Sequence, residues 1–323
     1  MTTAIRVQET GGPEVMRIET VTVGDPGPGE VRLRHTAIGV NFIDTYFRTG
    51  LYKTQLPFIP GNEASGVVEA IGAGVTDFKP GDRVAYIWGP GTYVQARVVP
   101  AAKLVPVPDA VSDEVAAAVL LKGLTAQYLL NRTFKVGPGH EILIHAAAGG
   151  VGLIAGQWAR HLGATVIGTA GSPDKIALAL AHGYDHVINY RTDDFVARTL
   201  EITEGRKVSV VYDSVGKDTF FASLDVLKPL GLMALFGQSS GPVPPVDLNI
   251  LNQKGSVFVT RPSLFAYMAE REVLLKAAAE LFDLIGRGVL KIAVNQTFPL
   301  TEAAAAHEAL EGRRTTGTTI LIP

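Results

Sequence analysis

Between Glu141 and Gly168 the chain reads EILIHAAAGGVGLIAGQWARHLGATVIG, and the period of its apolar positions changes within that stretch. Ile142, Leu143 and Ile144 form a short unbroken apolar run, which suits a strand covered on both faces. Val151, Ile154, Ala155 and Trp158 then recur at helical spacing, and Thr165 to Gly168 returns to a strand-like run. The pattern predicts strand, glycine-rich turn, helix and second strand. Its turn, Ala147-x-Gly149-x-x-Gly152, carries alanine where the usual dinucleotide-binding pattern has its first glycine. Small residues there let the main chain approach a pyrophosphate, whose charge is met by the free N–H groups and positive dipole end of the helix.

The flanking texture differs on the two sides. From Ala4 to about Val107, short runs at Val31 to Leu33, Gly66 to Ile71, Arg83 to Ile87 and Thr92 to Val98 are punctuated by Gly and Pro. They predict a compact, glycine-rich, all-β module. Across Pro106 to Gly123, Ser112 precedes Glu114 and an alanine-rich run, which marks a helix start and a boundary. Beyond it, strand patterns at Glu141 to His145, Thr165 to Gly168, His186 to Tyr190, Val208 to Asp213, Gly231 to Phe236 and Ser256 to Thr260 alternate with helical ones at Val151 to Leu162 and Lys175 to His182. Such alternation predicts an α/β fold with a doubly wound parallel sheet. A long helical pattern to Leu284, the run Phe298-Pro299-Leu300, a helix to Leu310 and a strand Thr318 to Ile322 are expected to return to the first module.

Composition narrows the chemistry. The 323 residues suffice for two domains, and 47% hydrophobic residues can fill two cores. Lys+Arg 29 against Asp+Glu 31 leaves a net charge of -2 with no basic run, so no nucleic-acid partner is expected. No apolar run approaches the ~20 residues of a membrane span. MTTAIRVQET lacks the apolar core of a signal peptide, and a cytoplasmic protein with no membrane partner is the simplest expectation. The absence of cysteine removes thiolate catalysis and sulfur-ligated metals.

An NAD-selective turn usually has Asp or Glu about 20 residues downstream to bind the ribose hydroxyls. Here that place reads Gly168-Thr169-Ala170-Gly171-Ser172, with no acid. Asp174 lies slightly further on, but Lys175 and the hydroxyls of Ser172 and Tyr190, with Arg313 from the tail, are candidates for a 2′-phosphate, so NADPH is favoured. The alternative for Lys175 is a solvated helix start.

Several segments together resemble the medium-chain dehydrogenase/reductase superfamily: Asn41-Phe42-Ile43-Asp44, Pro60-Gly61-Asn62-Glu63-Ala64-Ser65-Gly66, Lys79 to Val84, Lys122-Gly123-Leu124-Thr125 and His145 to Gly152. Within it the chain is similar to the NADPH:quinone oxidoreductases related to zeta-crystallin. The likeness extends over Val211 to Gly216, Asn252 to Ser256 and Gly317-Thr318-Thr319. It implies a GroES-like barrel from 1–123 and 262–323, a Rossmann domain over 124–261, and a homodimer joined through Rossmann sheets. Zinc-dependent members place Cys, His and Cys where this chain has Asn41, Asn62 and Lys122. No zinc is expected at a site without those ligands. The seven histidines are expected in structural or surface roles, with His145 at a strand end.

Without metal or thiolate, a quinone suits as substrate, because hydride acceptance yields a stabilised hydroquinone. The pocket is expected in the cleft between domains, facing barrel loops Asn41 to Tyr52. Asn41 is a candidate for orienting nicotinamide or substrate, and Tyr46 or Tyr52 for donating to or stacking on a quinone. Asp44 is either beside the ring or capping a helix. The resemblance adds Thr125, Ser214, Phe236, Gly237, Gln238, Ser239, Phe258 and Thr260 to the turn residues Ala147, Gly149, Gly150, Val151 and Gly152 as cofactor contacts. Lys122 is read as replacing the metal's charge, reaching a backbone carbonyl or reaching the ribose. Two rivals remain: an NADPH-dependent alkenal or enone reductase, and a non-catalytic NADPH-binding protein of the crystallin kind.

Overall fold

A computed structural model describes residues 1–323, which form two units, Met1–Lys122 with Glu270–Gly286 and Ile292–Pro323, and Gly123–Ala269 with Arg287–Lys291. The second unit thus runs past 261 to Ala269, and the helix Arg271–Gly286 belongs with the first.

The first unit begins with β1 (Thr2–Val7) and β2 (Met16–Val21), an antiparallel pair. It continues through β3 (Glu30–Val40), β4 (Glu63–Ile71), β5 (Arg83–Ile87), β6 (Ala96–Pro100) and β7 (Leu104–Pro106). In the second unit, β8 (Glu141–Ile144), β9 (Thr165–Ala170), β10 (His186–Asn189), β11 (Val208–Asp213), β12 (Leu227–Leu235) and β13 (Phe258–Thr260) are all parallel. Their order is β10-β9-β8-β11-β12-β13, the doubly wound arrangement the alternation predicts. The chain then supplies β14 (Val294–Pro299) and β15 (Thr318–Ile322), and β15 pairs antiparallel with β3. The tail therefore does return to the first module, completing a seven-stranded sheet of order β14-β15-β3-β4-β5-β7 with β6 on β3.

Each unit has its own core. Leu33, Ile38, Tyr86, Tyr93, Leu104 and Leu321 are buried in the first, and Leu143, Ile167, Val211, Leu227 and Met233 in the second. Each such side chain contributes about 1.5–3 kcal/mol by leaving water. No helix is long and apolar enough to cross a membrane.

One expectation for the first module needs correction. It is not all-β: Phe42–Arg48 is a helix within the stretch Asn41 to Tyr52 read as loop. Asn41 takes an extended backbone at its N-cap, and Asp44 accepts the Asn41 backbone N–H at 2.8 Å, a capping box that starts the helix. Seven residues are under two turns, too few for a hydrophobic period to register.

Candidate functional site

In the second unit the strands point their carboxyl ends to one edge, and most of the expected cofactor residues follow them there. After β8, Ala146 takes φ 55 and the helix Gly150–His161 begins with N–H groups that have no intrahelical partner. Ala147 donates its N–H to the Thr169 carbonyl at 2.9 Å and is fully buried. Its methyl lies against Gly168, so close strand packing accommodates alanine in place of the first glycine. Gly152 has no such latitude, because a Cβ there would sit 2.4 Å from the Ala146 carbonyl oxygen.

After β9, Ser172 caps the helix Pro173–Leu180 by accepting the Lys175 N–H at 3.4 Å. The Tyr190 hydroxyl approaches Gly171 from the end of β10, so Ser172, Lys175 and Tyr190 gather at one strand end. After β11, the buried Asp213 carboxylate accepts Val215 N–H at 2.7 Å, Gly216 N–H at 3.1 Å and the Thr219 hydroxyl at 2.6 Å. That fixes the loop carrying Ser214, whose carbonyl accepts the Ser239 N–H at 3.1 Å. Phe236, Gly237 and Gln238 follow β12 beside it. Phe258 to Thr260 form β13, with Phe258 at its opposite end from Thr260. Thr125 is buried on the helix Asp113–Tyr128, and Arg313 is exposed in the first unit.

The centre of the first unit is a buried polar cluster. Glu63, fully buried on β4, accepts three hydrogen bonds: Oε1 takes Asn41 Nδ2 at 2.8 Å and Lys122 Nζ at 2.7 Å, and Oε2 takes the Leu121 N–H at 2.7 Å. Gly39 makes room for it, since a Cβ there would lie 2.3 Å from Glu63 Oε1. Of the three readings for Lys122, none is singled out by what its side chain touches, which is the Glu63 carboxylate in an ion pair at 2.7 Å.

Asp44 is the second buried carboxylate. Besides the Asn41 N–H it accepts Asn62 Nδ2 at 2.6 Å and the Tyr93 hydroxyl at 3.0 Å. Burial pushes its pKa up to about 6, against the pull of the Asn62, Asn41 and Tyr93 bonds and with a smaller push from the Glu63 charge. Asn62 Oδ1 is buried without a partner. Behind Tyr93 the donors form a directed chain. Arg48 Nη1 donates to His307 Nδ1 at 2.9 Å, so the ring proton sits on Nε2 and is donated to the Tyr93 oxygen, also at 2.9 Å. Burial, reinforced by Arg48, pushes His307 down to about 3. Arg48 also reaches Glu311 at 2.8 Å. Tyr46 and Tyr52 stand together nearby in sequence, ring centroids 5.2 Å apart.

Sequence reading missed Glu63, Tyr93, His307 and Arg48. Glu63 left one signal: an acid flanked by the small residues Asn62, Ala64 and Ser65 in a strand with no charged neighbour. His145 is buried between Thr169 Oγ1 at 3.0 Å and Ser223 Oγ at 2.9 Å, a structural histidine.

Two family models match: an alcohol dehydrogenase GroES-like domain over residues 27–109, and a zinc-binding dehydrogenase over 150–278. The zinc in that description finds no fit here. Asn41, Asn62 and Lys122 offer two amides and an ammonium already paired with Glu63, and no group of three or more His, Cys, Asp or Glu is placed to hold an ion. The chain is 53% identical over its full length, and that of the relative, to a quinone oxidoreductase of Pseudomonas aeruginosa. It is 50% identical to a 2-haloacrylate reductase of a Burkholderia species, covering 100% of this chain and 99% of that one. The structure of Escherichia coli quinone oxidoreductase complexed with NADPH superposes with a TM-score of 0.98 at 51% identity, covering 99% of this chain and 100% of that one. A GroES-like unit, a doubly wound unit with a dinucleotide turn and full-length identity of this size place the chain in the medium-chain dehydrogenase/reductase superfamily, among the quinone oxidoreductases.

Proposed function

We infer that this chain is an NADPH:quinone reductase that works without zinc. The observation that carries the reading is the glycine-rich turn Ala147–Gly152, with no acid from Gly168 to Ser172, Ser172 and Lys175 after β9 and Tyr190 after β10, in a chain 53% identical end to end to a quinone oxidoreductase. Bound NADPH supplies a hydride. The N–H groups of the turn hold the pyrophosphate, and the Lys175 ammonium with the two hydroxyls takes the 2′-phosphate. Thr125, Ser214, Phe236 to Ser239, Phe258 and Thr260 line the remainder of the cofactor's path. Tyr46 and Tyr52 offer ring faces and hydroxyls to a quinone. Asp44 acts by fixing the start of the helix that carries Tyr46.

A homodimer is part of this reading. The edge strand β13 leaves Phe258 57% and Val259 36% exposed, an apolar edge that a second copy would cover. A cytoplasmic location, with no nucleic-acid or membrane partner, fits the net charge of -2 and the absence of any membrane-length helix.

The test is NADPH oxidation with a small benzoquinone and, in parallel, an alkenal, each repeated with NADH and with chelator. Quinone turnover preferring NADPH and indifferent to chelator is expected. Turnover of the alkenal alone would favour the second reading, an enone reductase, for which the resemblance to a 2-haloacrylate reductase speaks. NADPH binding without turnover of either would leave a non-catalytic protein.

A further inference from the structure

The first unit contains an open cavity of about 760 Å³ whose lining comes entirely from residues of that unit. Small-molecule sites run from about 300 to 1,000 Å³, so there is room for a ligand of modest size. Its charged lining residues are two arginines, Arg6 on β1 and Arg97 on β6, and no acid lines it. Much of the remaining wall is apolar, with Val21, Phe58, Ile59 and Val94 among it.

Neither guanidinium is fully matched. Arg97 is in no ion pair: Nη1 donates to the Trp88 carbonyl at 3.4 Å and Nη2 to the Pro90 carbonyl at 3.2 Å, and the group lies 4.5 Å over the Trp88 ring. Gly91 makes room for it, since a Cβ there would stand 2.7 Å from Arg97 Cζ. Carbonyls and a ring face hold the guanidinium in place, yet they leave its charge without a counter-ion and some of its five N–H groups unspent. Arg6 donates from Nη1 to Glu19 at 3.3 Å, a carboxylate it shares with Gln8, but its Nε is buried with no partner. Partly buried cations are ordinarily paired, and a buried donor left unmade costs free energy that an incoming acceptor recovers.

We propose that this cavity is a binding site for an organic carboxylate, with Arg97 taking the carboxylate, Arg6 adding a second positive charge, and the apolar body resting on Val21, Phe58, Ile59 and Val94. A guanidinium held at its edges by main-chain carbonyls is fixed before the ligand arrives, so little ordering is left to oppose binding. The charge sets which head group enters, and the apolar wall sets what the head group carries. No residue of the dinucleotide turn takes part, and the site stands whether or not the chain reduces quinones.

Two measurements on the full chain test it. In the first, Trp158→Phe leaves Trp88 as the lone tryptophan, and hexanoate, 1-hexanol, acetate and inorganic phosphate are titrated against its fluorescence. Hexanoate is expected to change the emission saturably and to bind at least about tenfold more tightly than each of the others. 1-Hexanol lacks the charge, and acetate and phosphate lack the chain, of which about two buried methylenes suffice for tenfold. In the second, calorimetry of hexanoate binding should show a loss of at least about tenfold in Arg97→Gln, a smaller loss in Arg97→Lys and a loss of a few fold in Arg6→Gln. The first measurement keeps Arg6 and Arg97 intact, so it decides the matter even where a variant fails to fold. Hexanoate binding no tighter than 1-hexanol, or an affinity unchanged in both Arg97→Gln and Arg6→Gln, overturns the proposal. Phosphate binding as tightly as hexanoate overturns the assignment of a carboxylate with an apolar body.

Discussion

Acidification from pH 7 to pH 5 will destabilise the first unit, chiefly through two histidines that are buried neutral. His307 is pushed down to about 3 by burial and Arg48, and His35 to about 4, mainly by burial, both from 6.5. A histidine with a depressed folded pKa takes up its proton in the unfolded chain first. Its contribution is whole above about pH 7 and is lost as the pH falls through 6.5 towards 4. Each histidine accordingly costs on the order of 2 kcal/mol over this interval. Asp44 works the other way. Its pKa rises from 3.8 to about 6 on folding, so the folded state holds the extra proton between those values. Its protonation returns on the order of 1 kcal/mol over the same interval. The net loss is on the order of 2–3 kcal/mol, to which His145, lowered by burial in the second unit, adds in the same direction there. Urea unfolding at the two pH values measures it, and the chain has a convenient reporter: of its two tryptophans, Trp88 lies in the first unit and Trp158 in the second. In a Trp158→Phe background, Trp88 fluorescence follows the unit that holds both histidines. His307→Gln is the control, because its amide accepts from Arg48 and donates to Tyr93 with no titrating group. It should lose on the order of 1 kcal/mol or less over the same interval. Equal losses in wild type and His307→Gln would refute the reasoning.

Three further outcomes follow from particular contacts. Lys175→Ala should raise the Kd for NADPH about tenfold or more and leave that for NADH nearly unchanged, read by cofactor fluorescence; equal weakening of both would remove Lys175 from the 2′-phosphate. Gly152→Ala puts a Cβ 2.4 Å from the Ala146 carbonyl oxygen, so it should abolish NADPH binding before it unfolds the chain; unaltered titration would mean the turn can widen at no cost. Gly39→Ala places a methyl 2.3 Å from Glu63 Oε1 and 2.4 Å from the Ala117 carbonyl, both fixed in the interior, and should cost about 2 kcal/mol or more in urea unfolding; a loss below about 0.5 kcal/mol would show that the centre gives way easily.

Where the determinants lie close in sequence, the residues announce the structure. Ile142 to Ile144, the small residues through Gly152 and the helical run to Trp158 form one continuous segment, and β8, the turn and its helix appear where the change of period places them. The missing acid after β9 is likewise legible, because strand and turn fix which residue stands at the strand end. The helix Phe42–Arg48 is not, since it rests on a capping box four residues wide and on packing rather than on periodicity.

The sequence alone determined the doubly wound unit, its dinucleotide turn, the departure of Asn41, Asn62 and Lys122 from zinc ligands and the absence of sulfur chemistry. All of these depend on residue type and short spacing. Tertiary structure decided what those residues are for. Lys122 meets Glu63 across 59 positions, and Arg48 meets His307 across 259. A buried charge must find its partner wherever the fold brings one, and no local pattern states which it will be. The same holds for the pKa values of Asp44 and His307, which are set by removal from water.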